Sequence, residues 1–437
     1  MRKIQTLVNI AALGLLLGAT NSYSETITYI GTTYNLREVN GTISSQLTVL
    51  SSQPWWIGDG ALGTNDNLLA AGMLDKFIGK RFAYGTVLNQ DYFRNQIYQG
   101  SGGTGFTTDS IAANGIYTWY ITDGIYVFLS AADTQSSLTR LASNLRGSFN
   151  SASLISNFAN SNTYDCNLFD VKGMCISAGG RYSTVENPSS NSSAAVVTLG
   201  YKVSSNIRIG GFLDQSVNTH SPTGIDISNK NPMMGAFAYW NQNADGLGYQ
   251  VKVANAYQDK DLSIIRDVIG TSEAGRGNTS LNSRSYVSEL SYAFMYKENT
   301  LVRPYFALRH TTIEQDAYTE TGVTTPLTYS ALNDRTTSAL MGVKFKHALT
   351  PKANLIGSLG LEQDLRNKTD QLTATGIAGL TSENFSGNIH HTRPVASLGA
   401  TYDIAKTQRL TGEVLVQQLP FQSSAGATAY VNYMIGF

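Results

Sequence analysis

The chain is predicted to be a membrane all-β protein. Its core is a 12-stranded antiparallel transmembrane β-barrel with a pore-spanning α-helix, preceded by a small mixed N-terminal segment. Three observations predict it. Twelve segments from Cys175 onward alternate apolar and polar residues with period two. Their charges fall almost entirely on one face, and short turns alternate with longer polar connections. Composition agrees: of 437 residues 14% are charged, while Gly (41) and Tyr (24) are abundant. Ordinary soluble domains carry about 25% charge. The net charge is zero, which leaves no basic surface for a nucleic acid.

The N-terminus, "MRKIQTLVNIAALGLLLGATNSYS", reads as a secretory signal peptide over 1–24. Arg2 and Lys3 precede an apolar core, Ile10–Leu17, and Ser22 and Ser24 are small residues ahead of a cut before Glu25. The apolar core is too short for a membrane anchor.

Residues 25–132 form a small domain with no repeat of solenoid period. "DNLLAAGMLDKFIGKRF" reads as an amphipathic helix, and "IYTWYITDGIYVFLSA" as a hairpin turning at Asp123–Gly124. Trp55–Trp56 is expected to pack the small core of this domain. "WWIGDGALGTND" has Gly58–Asp59–Gly60, with glycine where a Gly-Asp-Ser esterase would carry its nucleophile. "GSGGTGF" lacks the Lys and Ser/Thr of a phosphate loop and reads as linker. No histidine occurs in 25–132, so no serine–histidine–acid set can be assembled there. Elsewhere, His390 and His391 are adjacent in a polar loop, where neighbours on an extended chain point apart. These readings predict a protein without catalytic, metal or cofactor sites.

Residues 133–163 hold the helix and a linker. Leu138, Leu141, Leu145, Phe149, Ala152 and Ile155 recur at steps of three and four, and Asp133 or Thr134 is the expected cap. About 24 residues make a rod of roughly 36 Å, the length of a barrel pore. The other faces are Ser, Asn, Thr and Arg, suited to a wet lumen. Arg140 and Arg146 are expected to pair with lumen acids such as Glu289, Glu362 or Glu413. Next, Cys166 and Cys175 bracket a Lys172–Gly173 turn; in an exported chain this close pair predicts a disulfide.

The barrel is expected over 164–437. In "VVTLGYKV", Val197, Leu199 and Tyr201 oppose Thr198, Gly200 and Lys202. In "LVRPYFALRH", Val302, Pro304, Phe306 and Leu308 oppose Arg303, Tyr305, Ala307 and Arg309. In "ALMGVKFK", Met341 and Val343 oppose Lys344 and Lys346. A lysine or arginine facing lipid costs about 2–4 kcal/mol at the bilayer midplane, so the charged face must line water. Lys202, Arg208, Glu289, Arg303, Arg309, Lys344, Glu362 and Glu413 are therefore assigned to the lumen. Short turns are expected near 204–206, 243–246, 297–300, 349–352 and 405–407, and long loops at 267–282, 314–334 and 366–388. The last strand, "ATAYVNYMIGF", places Val431, Tyr433, Ile435 and Phe437 on an uncharged outward face.

This order of parts resembles the autotransporters, the type V secretion family. "DCNLFDVKGMCISAGGRY", "VRPYFALRHTT" and "YVNYMIGF" look like stretches of their β-domain. The resemblance covers about Gln135–Phe437. It implies a bacterial outer-membrane translocator whose N-terminal passenger reaches the cell surface through the pore while the helix stays as a plug. It also implies export by the Sec machinery and insertion by the barrel-assembly machinery, which reads the strand of Val431, Tyr433, Ile435 and Phe437. Lipid is the surrounding partner, a monomer is expected, and the passenger would meet a surface ligand that the sequence does not name. Passengers of the family are often far longer than the 108 residues of 25–132. The competing expectation is a porin-like channel with an N-terminal plug or periplasmic cap.

Overall fold

A computed structural model describes residues 131–160, 164–421 and 425–437, together with strands 25–29, 32–39, 81–89, 92–99, 106–112 and 125–130. The signal peptide, Trp55–Trp56, Gly58–Asp59–Gly60 and the Gly-rich stretch up to 105 lie outside the described residues.

Twelve antiparallel strands close into a ring: β1 (Met174–Val185), β2 (Ser190–Lys202), β3 (Ile207–His220), β4 (Met233–Asn241), β5 (Gly248–Ile265), β6 (Arg276–Lys297), β7 (Thr300–Gln315), β8 (Leu332–Ala348), β9 (Ala353–Thr369), β10 (Thr392–Ala405), β11 (Gln408–Gln418) and β12 (Ala425–Gly436). Each pairs with its sequence neighbour, and β12 pairs with β1, from Ala427 opposite Thr184 to Gly436 opposite Cys175. A ring has no open edge, so every strand's backbone groups find partners without water.

One end of the ring carries the connections 203–206, 242–247, 298–299, 349–352 and 406–407. The other carries 221–232, 266–275, 316–331 and 370–391, and also two brief ones, 186–189 and 419–424. The outer wall is apolar near the short-turn end. Val302, Pro304, Phe306 and Leu308 face out along β7, and Tyr201, Tyr249, Tyr292 and Tyr402 form an aromatic edge. Such a band flanked by aromatic residues is what a lipid bilayer requires.

Three strands run well past their expected ends. β6 starts at Arg276, inside the stretch expected to be loop, and β8 and β9 reach Leu332 and Thr369. Beyond the lipid band both faces of a strand meet polar surroundings, so the apolar alternation disappears while the hydrogen-bonded ladder continues. Short pairs, 318–319 with 328–329 and 328–329 with 374–375, extend the wall in the long loops.

Of the N-terminal unit, 32–39 lies between 25–29 and 125–130, and 92–99 between 81–89 and 106–112. One expectation changes here. Arg81 and Phe82, the end of the expected amphipathic helix, begin a strand; the rest of that helix is outside the described residues. Ile125–Ser130, the second limb of the expected hairpin, is a strand that pairs with 32–39; the first limb and the Asp123–Gly124 turn lie outside the described residues.

A plugged lumen as the candidate functional site

Helix α1 (Ala131–Asn160) starts directly after strand 125–130, so neither Asp133 nor Thr134 caps it. The Asp133 carboxylate instead accepts hydrogen bonds from the backbone N–H and hydroxyl of Thr271, at 2.8 and 2.9 Å. The upper half of α1 is held by the long loops. Gln135 donates to Glu383 at 2.6 Å and accepts from the N–H of Thr381 at 2.8 Å, and Thr139 also donates to Glu383. Ser137 donates to the Asp267 carbonyl, and Asn144 to that of Thr223 at 2.9 Å. Behind Ser137, the buried Arg266 makes two bonds to Glu320, and Glu320 accepts a third from Tyr329. Burial opposes the Arg266 charge, but Glu320 outweighs it and raises the pKa; burial and the neighbouring Tyr318 push Tyr329 up, so it stays a donor.

Arg140 and Arg146 do not pair with Glu289, Glu362 or Glu413. Arg140 meets Asp267 at 3.5 Å, and Arg146 donates to the Phe385 and Asn384 carbonyls. The reason is depth. The 30-residue helix is longer than expected and rises into the loop end, so its arginines stand above the lumen acids.

The lower half of α1 is closed off from bulk solvent. Every residue from Gly147 to Asn160 is buried. Ile155, Phe158 and Ala159 pack with Tyr164, Val196, Phe212, Met233, Ala256, Leu415 and Tyr430. Gly147 passes so close to the β1–β2 turn that a Cβ would sit 2.5 Å from Pro188. Some of its polar groups pair with the wall: Ser156 with Ser283 at 2.7 Å, Asn160 with Ser285 at 2.7 Å, and the Asn150 oxygen with the N–H of Phe421 at 3.0 Å. The Asn160 carbonyl accepts from Lys252 at 2.5 Å. Ser285 is level with the middle of β6, so α1 ends partway down the ring.

Residues 164–169 fill what the helix leaves open. Tyr164 donates to Asp214 at 2.5 Å, and Arg181 makes two bonds to the same carboxylate at 2.7 and 3.0 Å, all in the dry interior. Asp165 accepts from Arg208 at 2.7 Å, while the Arg208 guanidinium lies 3.9 Å from the Tyr239 ring centre. Cys166 and Cys175 form the expected disulfide, buried against Met434. Gly200 makes room, since a Cβ there would meet the Cys166 carbonyl at 2.8 Å. The chain then leaves beside β12, with Asp170 and Met174 N–H groups on the Phe437 carbonyl.

Of the charges assigned to the lumen, all but Lys202 face inward, with Arg208 on Asp165. Glu289 holds Lys344 at 2.7 Å, and Arg303 donates to Gln250 at 2.8 Å. Glu362 bridges Arg309 and Arg393, which also binds Asp364 at 2.6 Å. Glu413 lines a cavity of about 290 Å³ with Arg303, Lys344, Lys346 and Arg409. Lys202 is exposed at the short-turn rim. On the outer face of β12, Val431 and Phe437 are exposed and Tyr433 and Ile435 half-buried. Sequence reasoning missed Tyr164, Arg181, Asp214, Arg393 and Asp364. The one available signal was Asp214, a lone carboxylate on the inward face of "IRIGGFLD".

Residues 177–414 match the family model of the autotransporter beta-domain. The Neisserial autotransporter lipoprotein NalP of Neisseria meningitidis serogroup B, strain MC58, is 27% identical over 212 residues, 48% of this chain and 19% of that protein. NalP of strain H44/76 gives the same values. The match thus spans about a fifth of the length of these relatives. The solved translocator domain of NalP has a TM-score of 0.50 at 21% identity, covering 64% of this chain and 93% of that domain, a likeness of fold. The chain belongs to the autotransporter family, and its C-terminal ring is an outer-membrane translocator barrel.

Proposed function

We propose that this barrel exports its own segment 25–132 and holds it at the cell surface, with α1 remaining as the plug. The observation that carries this reading is the direction of α1. Its N-terminal half is bound by the loops of the long-connection end and its C-terminal end lies deep in the ring. In outer-membrane barrels long loops face outward and short turns the periplasm. The chain leading into α1 is then delivered outside.

The same arrangement disfavours an open porin, because the lumen beside 147–160 is packed with side chains. The displayed segment acts by contact rather than catalysis, since 25–132 contains no histidine and the Gly-Asp-Ser position lacks its serine. Its partner is a surface ligand. Sec and the barrel-assembly machinery serve export and insertion, and the barrel works as a monomer surrounded by lipid.

The test is a tag placed after Glu25 in intact cells. Added protease should remove it while the barrel keeps its heat-modifiable mobility in gels. Complete protection of the tag with a folded barrel would place the segment in the periplasm and end this reading.

A further inference from the structure

The lipid band does not end uniformly around the ring. On β1, β2, β3 and β12 the outward residues above it include Thr184, Asn191, Gln215 and Ala427, without charge. On β6–β9 the register sets two successive outward rows. The first is Tyr286, His310, Thr337 and Arg366; the second, farther from the short-turn end, is Arg284, Thr312, Arg335 and Lys368. All four Arg and Lys side chains in these rows are exposed. A register shift at Thr337/Ser338 helps to place them, because it turns both Leu365 and Arg366 outward.

The charges here are only partly used. Arg335 lies 3.1 Å from Glu314, with half its side chain exposed, and Arg284 stands 5.6 Å from the Tyr257 ring. Arg366 and Lys368 have no acidic partner among the described residues. Acids return one row farther out, where Asp259, Asn282, Glu314 and Asn333 lie side by side and Asp370 bonds to Asn333. Outward positive charge on these strands is thus concentrated in the two rows that meet the end of the apolar band, with Arg276 standing apart at the far end of β6. Four strands at ~4.8 Å spacing span ~14 Å, about the width of a disaccharide headgroup.

We propose that this outer face of β6–β9 binds a phosphorylated glycolipid of the outer leaflet. Its phosphates would engage Arg284, Arg335, Arg366 and Lys368, while its acyl chains lie along Leu308, Met341 and Leu361. Arginine suits phosphate because its planar fork donates two parallel hydrogen bonds. The threonine hydroxyls in the same rows supply further contacts. The proposal rests on the outer-membrane reading of the barrel.

The test uses the full chain folded in phosphatidylcholine nanodiscs doped with diphosphoryl lipid A, and measures the lipid A retained after washing by mass spectrometry. R284Q/R335Q/R366Q/K368Q should retain at least tenfold less than the wild type. K172Q/K297Q/K352Q/K406Q, which removes as many exposed charges near the short-turn end, should retain as much as the wild type. Equal retention by the first variant, or an equal loss in the second, overturns the proposal. So does equal retention of phosphatidylglycerol in place of lipid A, which would show attraction to any anion. Heat-modifiable mobility in the same discs reports insertion. A wild type that fails to insert speaks against the barrel itself, whereas one that inserts without selecting lipid A speaks against this site alone.

Discussion

The two halves of α1 are held by different physics. Above Gly147 only one face is buried, that of Leu138, Leu141, Ala142 and Leu145, while Asp133, Gln135, Ser137, Thr139 and Asn144 share hydrogen bonds with loop groups. Below it, the helix is enclosed by strand side chains, and Tyr164, Arg181 and Asp214 seal the space beneath. Bonds at a wet rim are worth about 0.5–1.5 kcal/mol each and can be exchanged for water. A dry packed core cannot be opened piecemeal, because each displaced side chain leaves a cavity. The upper half therefore joins a buried apolar stripe to rim bonds that water can replace, and the lower half, buried all round, is the closure of the pore.

The largest expected effect tests that closure. Removing 134–160 should convert a poorly conducting protein into a pore of nanosiemens order in planar bilayers. Unchanged conductance would mean that 164–169 alone seals the ring, and the division of labour would fall. Next in size is Asp214→Ala. It strands Arg181, whose side chain is 0% exposed, as is that of Asp214. Breaking a buried pair by removing one partner costs ~3–5 kcal/mol. Urea unfolding of the inserted barrel should show a loss of that order. Replacing both partners, R181M/D214L, should recover most of it, since two apolar groups leave no orphaned charge. A single variant of near wild-type stability would show that water reaches this site.

The strands were legible because lipid imposes a rule on them: outward residues must be apolar, so Val302, Pro304, Phe306 and Leu308 announce themselves against Arg303 and Arg309. Where lipid ends the rule ends, and the stretch of β6 from Arg276 to Arg284 has no sequence signature to separate it from a loop. The dry lumen was hidden for a related reason. Phe212, Met233 and Leu415 sit on inward faces, and an apolar residue on a mixed face carries no mark of what covers it. The disulfide was legible from its closeness in sequence, whereas Arg181 and Asp214 are 33 positions apart with no local rule to join them. Arg140 and Arg146 were matched with the wrong partners because periodicity gives the face of a helix but not its depth.

The smallest expected effect separates the two halves most cleanly, because it repeats the same chemistry in the other place. Arg140 and Asp267 are also an arginine–aspartate pair, but 3.5 Å apart with side chains 58% and 27% exposed. Such a pair gains little over solvation by water, with a usual worth of ~0–1 kcal/mol that salt reduces further. Arg140→Gln should change unfolding stability by no more than about 0.5 kcal/mol and leave the closed state of the pore intact. Added salt should leave that difference near zero, while the Asp214→Ala deficit persists, since a pair with no solvent access is scarcely screened. If Arg140→Gln cost as much as Asp214→Ala, the upper half of α1 would be as tightly integrated as the lower, and the rim contacts would have to be counted as part of the seal.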